Sequence, residues 1–219
     1  MPEALPSREA ALALMHEFTA SDSLRKHMLA VEAAMRAYAT ELAPDDVDRW
    51  GITGLLHDYD YERWPNAERH PDAEHPAEGV RQLRARGYPD DVCEAILGHA
   101  PYTGVARTTP MASALFAVDE LTGLITACTL VKPSRHIDDV DVRGVRRKMK
   151  DKAFARGVNR DDIVVGAGEL GIDLDAHIER VLAAMRGAAD ALGLAGGLAP
   201  DTAGPPGTAG SPDPALPAS

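Results

Sequence analysis

Cysteine is scarce in this sequence: only Cys93 and Cys128 occur among 219 residues. Two thiols build neither a disulfide framework nor a Cys-based zinc site, and a reducing compartment is their natural setting. Aromatic residues make up 5%, with three Phe and two Trp, so a core has to come from Leu, Val, Ile, Ala and Met. No 18 apolar residues run together, and the start Met1-Pro2-Glu3-Ala4 lacks a basic stretch followed by an apolar one. The expectation is a soluble cytoplasmic protein with no membrane partner. Positive charge is also short. Against 34 Asp+Glu there are 23 Lys+Arg, a formal net charge of −11. That balance argues against an unspecific nucleic-acid binder or a ligand for anionic membranes.

Hydrophobic residues make up 45%, enough to fill one good-sized core, and one domain over residues 1–194 is expected. Residues 195–219 hold six Pro and five Gly, no aromatic residue, and only Asp201 and Asp213 as charges. Such a segment buries too little apolar surface to offset its ordering entropy, so it reads as a disordered tail. It leaves −9 on the folded body. No internal repeat is visible.

The hydrophobic period is helical throughout. Ser7 caps a first expected helix to about Phe18. A second, from about Leu24 to Leu42, carries the stripe Leu24, Met28, Val31, Met35, Tyr38 and Leu42, with His27 beside it. Pro44 suits the first turn of a third helix, which leads through Leu55-Leu56 into His57-Asp58. Residues 60–75 are polar and irregular. Helices then start at Pro76 and Pro89, the second ending at His99, and Thr109-Pro110 opens a long one through about Val131. Beyond Pro133, Val142 to Met149, Asn159 to about Leu170, and Asp173 to about Leu192 read as helices, with Ile163-Val164-Val165 the one β-prone stretch. The fold class is all-α, a globular helical bundle with no sustained heptads.

Of eight His, most read singly as solvated or hydrogen-bonded residues, but several coincide with awkward carboxylates. Asp58 follows the apolar Leu55-Leu56, and a half-buried carboxylate has to pair or coordinate a metal. Asp119 sits in a long apolar helix with no basic residue at 115, 116, 122 or 123, although its neighbour Glu120 also allows a solvated edge. His27, His57, Asp58, His75, His99 and Asp119 each lie on a different helix or its flank, except for the adjacent pair. Imidazole and carboxylate ligands without thiolate suit Fe, Mn, Co, Ni or Zn, with Mg possible, and argue against a structural zinc. In a two-metal site a carboxylate bridges the ions, and Asp58 is the candidate bridge.

These residues resemble the pattern of the HD superfamily of metal-dependent phosphohydrolases, in particular the HDIG-type branch and an uncharacterised subgroup of it. The likeness rests on Gly54-Leu55-Leu56-His57-Asp58-Tyr59-Asp60-Tyr61-Glu62, on His75-Pro76-Ala77-Glu78-Gly79 and on Val118-Asp119-Glu120-Leu121-Thr122-Gly123. Lys132-Pro133-Ser134 and Lys148-Met149-Lys150-Asp151-Lys152 add to it, so that it covers roughly 20–190. Tyr59-Asp60 stands where the branch's name has Ile-Gly. The resemblance implies an HD-domain bundle with additional C-terminal helices. It implies one or two divalent ions, one on His27, His57, Asp58 and Asp119 and a second on His75 and His99.

The implied activity is hydrolysis of a small anionic phosphomonoester, nucleotide or cyclic nucleotide (EC 3.1 type) by metal-activated water, in a monomer or homodimer. Asp58 would be catalytic, with Asp60 or Glu62 orienting water or carrying a proton unless each simply faces solvent. Substrate phosphate is expected at Lys132, Arg135, Lys148 and Lys152. The last two belong to a segment, Arg143 to Arg160, with eight cations and only Asp151 against them; it reads either as a rim drawing anions inward or as a solvated face. Two other functions fit the same ligands: an HD-type di-iron oxygenase, and a non-enzymatic signalling or binding domain that keeps its metal for stability.

Overall fold

Six side chains set where helices begin. Ser7, Ser21, Thr109, Asp141, Asn159 and Asp173 each accept a hydrogen bond from a first-turn N–H of the helix that follows. Each cap satisfies an amide that the helix cannot pair internally, worth about 1 kcal/mol apiece. In this computed structural model, which describes residues 5–197, ten α-helices result. They are α1 (Arg8–Phe18), α2 (Asp22–Leu42), α3 (Val47–Leu56), α4 (Ala77–Ala85) and α5 (Asp90–His99). The rest are α6 (Pro110–Leu130), α7 (Val142–Met149), α8 (Arg160–Glu169), α9 (Leu174–Gly187) and α10 (Ala189–Leu192). Among the described residues there is no strand, and the fold is all-α as expected.

The middle of the bundle is α6, which packs against α2, α5, α8 and α9. It is apolar on nearly every side, as a fully surrounded helix has to be. Its length and apolarity would suffice to cross a membrane, but 67% of that stretch is buried against the other helices. Met111, Leu115, Val118, Leu121 and Ile125 meet Met28, Val31 and Met35 of α2 and Leu55 and Leu56 of α3 in one continuous core. Asp119 thus stands midway along a helix that α2, α3 and α5 all touch.

Three of the sequence expectations are corrected, and one ambiguous stretch resolves as the helix expected there. Pro44 opens a short 3₁₀ turn, Pro44–Asp46, and α3 begins only at Val47. The stretch Ile163-Val164-Val165 is helical. Asn159 caps it, Ile163 packs inward and Val164 and Val165 stay half exposed, so tertiary burial of one face overrides β propensity. The last helix divides at Ala188 into α9 and α10. Finally, the segment expected to be disordered from 195 begins with Ala195 bridged to His136, next to the Ile137 N–H bond to Leu194 O. The remainder of that expected tail, 198–219, lies outside the described residues.

His177 shows what a buried imidazole does when it is purely structural. Its Nε2 donates to Ala117 O at 2.9 Å, and Tyr38 Oη donates to its Nδ1 at 2.6 Å, so one neutral ring ties α9 to α6 and α2. Burial, helped by the Arg180 charge, pushes its pKa down to about 4. An unfolded imidazole titrates at about 6.5, so the unfolded chain binds the extra proton between these values. The contribution is therefore complete above pH 6.5 and is lost as pH falls toward 4, at most about 3 kcal/mol. In urea unfolding, the stability gap between wild type and His177→Gln should shrink by roughly that amount from pH 7 to pH 4. A gap independent of pH would refute this account.

Candidate metal centre

Five elements deliver six side chains to one point. His27 comes from the second turn of α2, and His57-Asp58 follow directly on α3. His75 ends the irregular segment before α4, His99 is the last residue of α5, and Asp119 lies midway along α6. His27 Nε2 is 3.0 Å from Asp119 Oδ1 and 3.7 Å from Asp58 Oδ2. His57 Nε2 is 3.4 Å from Asp119 Oδ1 and 3.5 Å from Asp58 Oδ2. The other Asp58 oxygen, Oδ1, faces His75 Nε2 at 3.2 Å and His99 Nε2 at 3.5 Å. Two ligand groups result, His27-His57-Asp58 and Asp58-His75-His99, each with its donor atoms within 4.8 Å of one another. Asp58 belongs to both, one oxygen to each.

The rings are aimed by what their far nitrogens bind. His57 Nδ1 donates to Gly54 O at 2.8 Å, and His99 Nδ1 donates to Ile96 O, in both cases the carbonyl three residues back. His75 Nδ1 donates to Asp60 Oδ1 at 2.7 Å. Each bond holds a proton on Nδ1 and turns Nε2 inward, so that Nε2 can offer a metal its lone pair once its own proton is displaced. Asp60 is itself held by the Gly79 N–H at 2.8 Å, and a Cβ at Gly79 would come within 2.5 Å of the Asp60 carboxyl carbon. Glycine is required there by close approach. Tyr102 Oη donates to His75 O, fixing the backbone of the same ligand.

One atom tests whether these residues suit a cation. His57 Nε2 is fully buried and has no hydrogen-bond partner, although two carboxylates stand near it. Leaving a buried polar atom unpaired costs roughly 1–3 kcal/mol. A divalent ion would remove this cost, because the imidazole nitrogen and two carboxylates already surround the position. The donor set, nitrogen and oxygen without sulfur, fits Fe, Mn, Co, Ni or Zn.

Electrostatics in the cluster favour charge separation. Burial disfavours charge on every group, but the pairing outweighs it. His57 is pushed up to about 9 by Asp58 and Asp119, and His75 to about 10 by Asp58 and Asp60. Against the same burial, their imidazoles hold Asp58 and Asp119 well below the usual carboxylate range. Entry of a metal has to displace those imidazole protons, so acid opposes loading. Next door, burial and the charge of Asp119 push Glu120 up to about 7.

A cavity of about 790 Å³ opens onto the cluster, with Asp58, Asp119, His27, His75 and His99 at its base. Tyr61, Arg69, Tyr102, Glu120, Asn159 and Asp162 stand on its wall. Of these, Arg69, Tyr102 and Asp162 escaped the sequence reading altogether, and Asn159 entered it only as a helix cap. Asp60 and Glu62 do different work from that expected. Both Asp60 oxygens are used, on His75 and Gly79, and the side chain is buried away from the cavity. Glu62 accepts from the N–H groups of Ala20 and Ser21 at 2.7 and 2.8 Å, capping the approach to α2.

The four expected phosphate ligands are also displaced: Lys132, Arg135, Lys148 and Lys152 are absent from the wall. Lys148 lies over the Phe154 ring at 4.2 Å and near Asp151 at 3.7 Å. Arg135 lines a separate cavity of about 320 Å³ behind His27.

A helical bundle with two overlapping His-carboxylate ligand groups at the base of an open cavity defines a candidate binuclear metal protein. Residues 24–123, which contain all six ligands, match the family model of the HD domain. No curated protein and no solved structure matches the chain.

Proposed function

We propose that the protein is a metal-dependent phosphohydrolase acting on a small phosphomonoester, nucleotide or cyclic nucleotide. The observation that carries this reading is the placing of the two Asp58 oxygens, each turned toward a different histidine pair, at the base of a cavity open to substrate. A divalent ion bound there would supply Lewis-acid chemistry, polarising phosphoryl oxygen and lowering the pKa of bound water. His27, His57, Asp58 and Asp119 would hold one ion, and Asp58, His75 and His99 a second.

The chain's own part is preorganisation. Gly54 O, Ile96 O and Asp60 fix the ring orientations, so the lone pairs need not reorganise when a cation enters. The open cavity supports an enzyme over a metal kept for stability, since a structural site closes its ligand shell.

Elemental analysis of protein purified without added metal, followed by phosphate release from a panel of phosphomonoesters and nucleotides, tests the reading. The expected result is one to two divalent ions per chain and phosphate release that a chelator abolishes. Two irons per chain with oxygen consumption and no phosphate release would replace it with the di-iron oxygenase.

A further inference from the structure

We infer that Arg69 is the residue that grips the substrate's phosphoryl oxygens, and that Glu74 holds it in place; this rests on the phosphohydrolase reading and names how that site recognises its anion. Around the metal cavity the acidic side chains are Asp58, Asp119 and Asp162, with Glu120, pushed up to about 7, beside them. A phosphate dianion entering such a wall needs a counter-charge beyond the metals. Among the described residues lining the cavity, Arg69 is the one Lys or Arg. Its guanidinium has no hydrogen bond or ion pair within the described residues, despite four acidic groups on the same wall. All five N–H donors of its fork are therefore available, in the planar arrangement that matches phosphoryl oxygens.

The backbone at Arg69 is held where an arginine does not settle unaided. Its φ is +54°, in the left-handed region that costs a residue with a Cβ. The Glu74 carboxylate imposes it. That group accepts from the N–H of Glu68 at 3.2 Å and from the N–H of His70 at 2.9 Å, the two residues flanking Arg69. The Arg69 N–H itself turns back to Asn66 O at 3.3 Å. His75 N–H donates to Trp64 O at 2.7 Å and closes the segment at its base. The loop is thus tied at its foot to the ligand His75 and folded around Glu74, with Arg69 presented at the cavity. Strain kept by this many contacts, at a cavity that holds the candidate chemistry, is the pattern of a recognition residue.

The test is inorganic phosphate binding to the metal-loaded protein, followed by calorimetry and by ³¹P line broadening, in wild type, Arg69→Ala, Arg69→Lys and Glu74→Gln. Metal content and thermal midpoint are recorded for each, and both should match wild type in the Arg69 variants, since that side chain supports nothing else. Arg69→Ala should weaken phosphate binding about 10–100-fold, the range of a charge-assisted hydrogen-bonded contact. Arg69→Lys should recover only part of it, because an ammonium replaces the fork with a point charge. Glu74→Gln should weaken binding in the same direction by less. Phosphate affinity unchanged in Arg69→Ala, with wild type binding, would overturn the assignment and leave the phosphohydrolase reading standing. No phosphate binding by metal-loaded wild type would overturn the phosphohydrolase reading and this assignment with it.

Discussion

Asp58→Ala should purify without metal and without phosphatase activity. Asp58 is the one side chain that belongs to both ligand groups, so its loss reduces His27-His57-Asp58 and Asp58-His75-His99 to two histidines each. Asp119 remains for the first pair, 3.0 Å from His27, whereas the second pair keeps no carboxylate facing its Nε2 atoms. Removing a ligand's outer partner alone costs about 10–100-fold in metal affinity, and removing a shared ligand has to exceed that.

The fold should survive, because Asp58 contributes charge to the cluster and no apolar burial to the core. Metal content by mass spectrometry, with circular dichroism as the check on folding, decides the matter; full occupancy in Asp58→Ala would remove the shared-ligand role. Glu62→Ala is the matched comparison. Glu62 serves the Ala20 and Ser21 amides at the exposed start of α2, so that variant should lose a little stability and no metal.

That comparison also marks where the sequence stopped being legible. The helices could be read because caps and apolar periods are local: Ser7, Thr109, Asn159 and Asp173 stand at the starts they signal. Five of the six ligands could be read because each is a polar group on or beside an apolar stripe or at a helix end, whereas His75, in the irregular segment before α4, carries no such local mark. Residues 60–75 have no period, and there sequence proximity misleads. Asp60 and Glu62 follow the His-Asp pair closely, yet one turns inward to His75 and Gly79 and the other outward to the start of α2. What decides each is a partner that lies 15 to 42 residues away in the chain.

The basic segment fails to announce itself for a related reason. Charge density along a sequence does not say which face a side chain takes. Arg160 spends its guanidinium on the carbonyls of Ala155 and Val158, at 2.9 and 2.6 Å, organising the loop from inside. Arg146 pairs with Asp175 and Lys148 with Asp151. The segment reaches the cavity through Gly157 and Asn159, its uncharged members, while the cation on the wall, Arg69, comes from a stretch with no excess of positive charge. A left-handed backbone at an arginine leaves no trace in composition, since it depends on Glu74 reaching back five residues.

Gly166→Val is expected to be the most damaging change outside the ligand set. A Cβ at Gly166 would lie 2.5 Å from Ala117 Cα, 2.8 Å from its Cβ and 3.2 Å from its N. The obstacle is the backbone of α6, which cannot rotate aside as a side chain can, so α8 has to move off. Overpacking of this kind costs about 1–3 kcal/mol, and the upper end applies where backbone opposes the new atom.

The displaced contact is also a junction, because Ala117 O accepts from His177 and Asp119 follows two residues later on the same helix. Separation of α8 from α6 would therefore carry Asp162 and Asn159 away from the cavity wall. Gly168 supplies the contrast. It lies in the same helix, and a Cβ there meets nothing within 4 Å, so Gly168→Ala should be neutral or stabilise by up to about 1 kcal/mol through helix propensity. Urea midpoints for the two variants separate the explanations. If both shift alike, glycine in α8 concerns helix propensity alone; a large loss confined to position 166 means that the close approach of α8 to Ala117 of α6 is what requires glycine there.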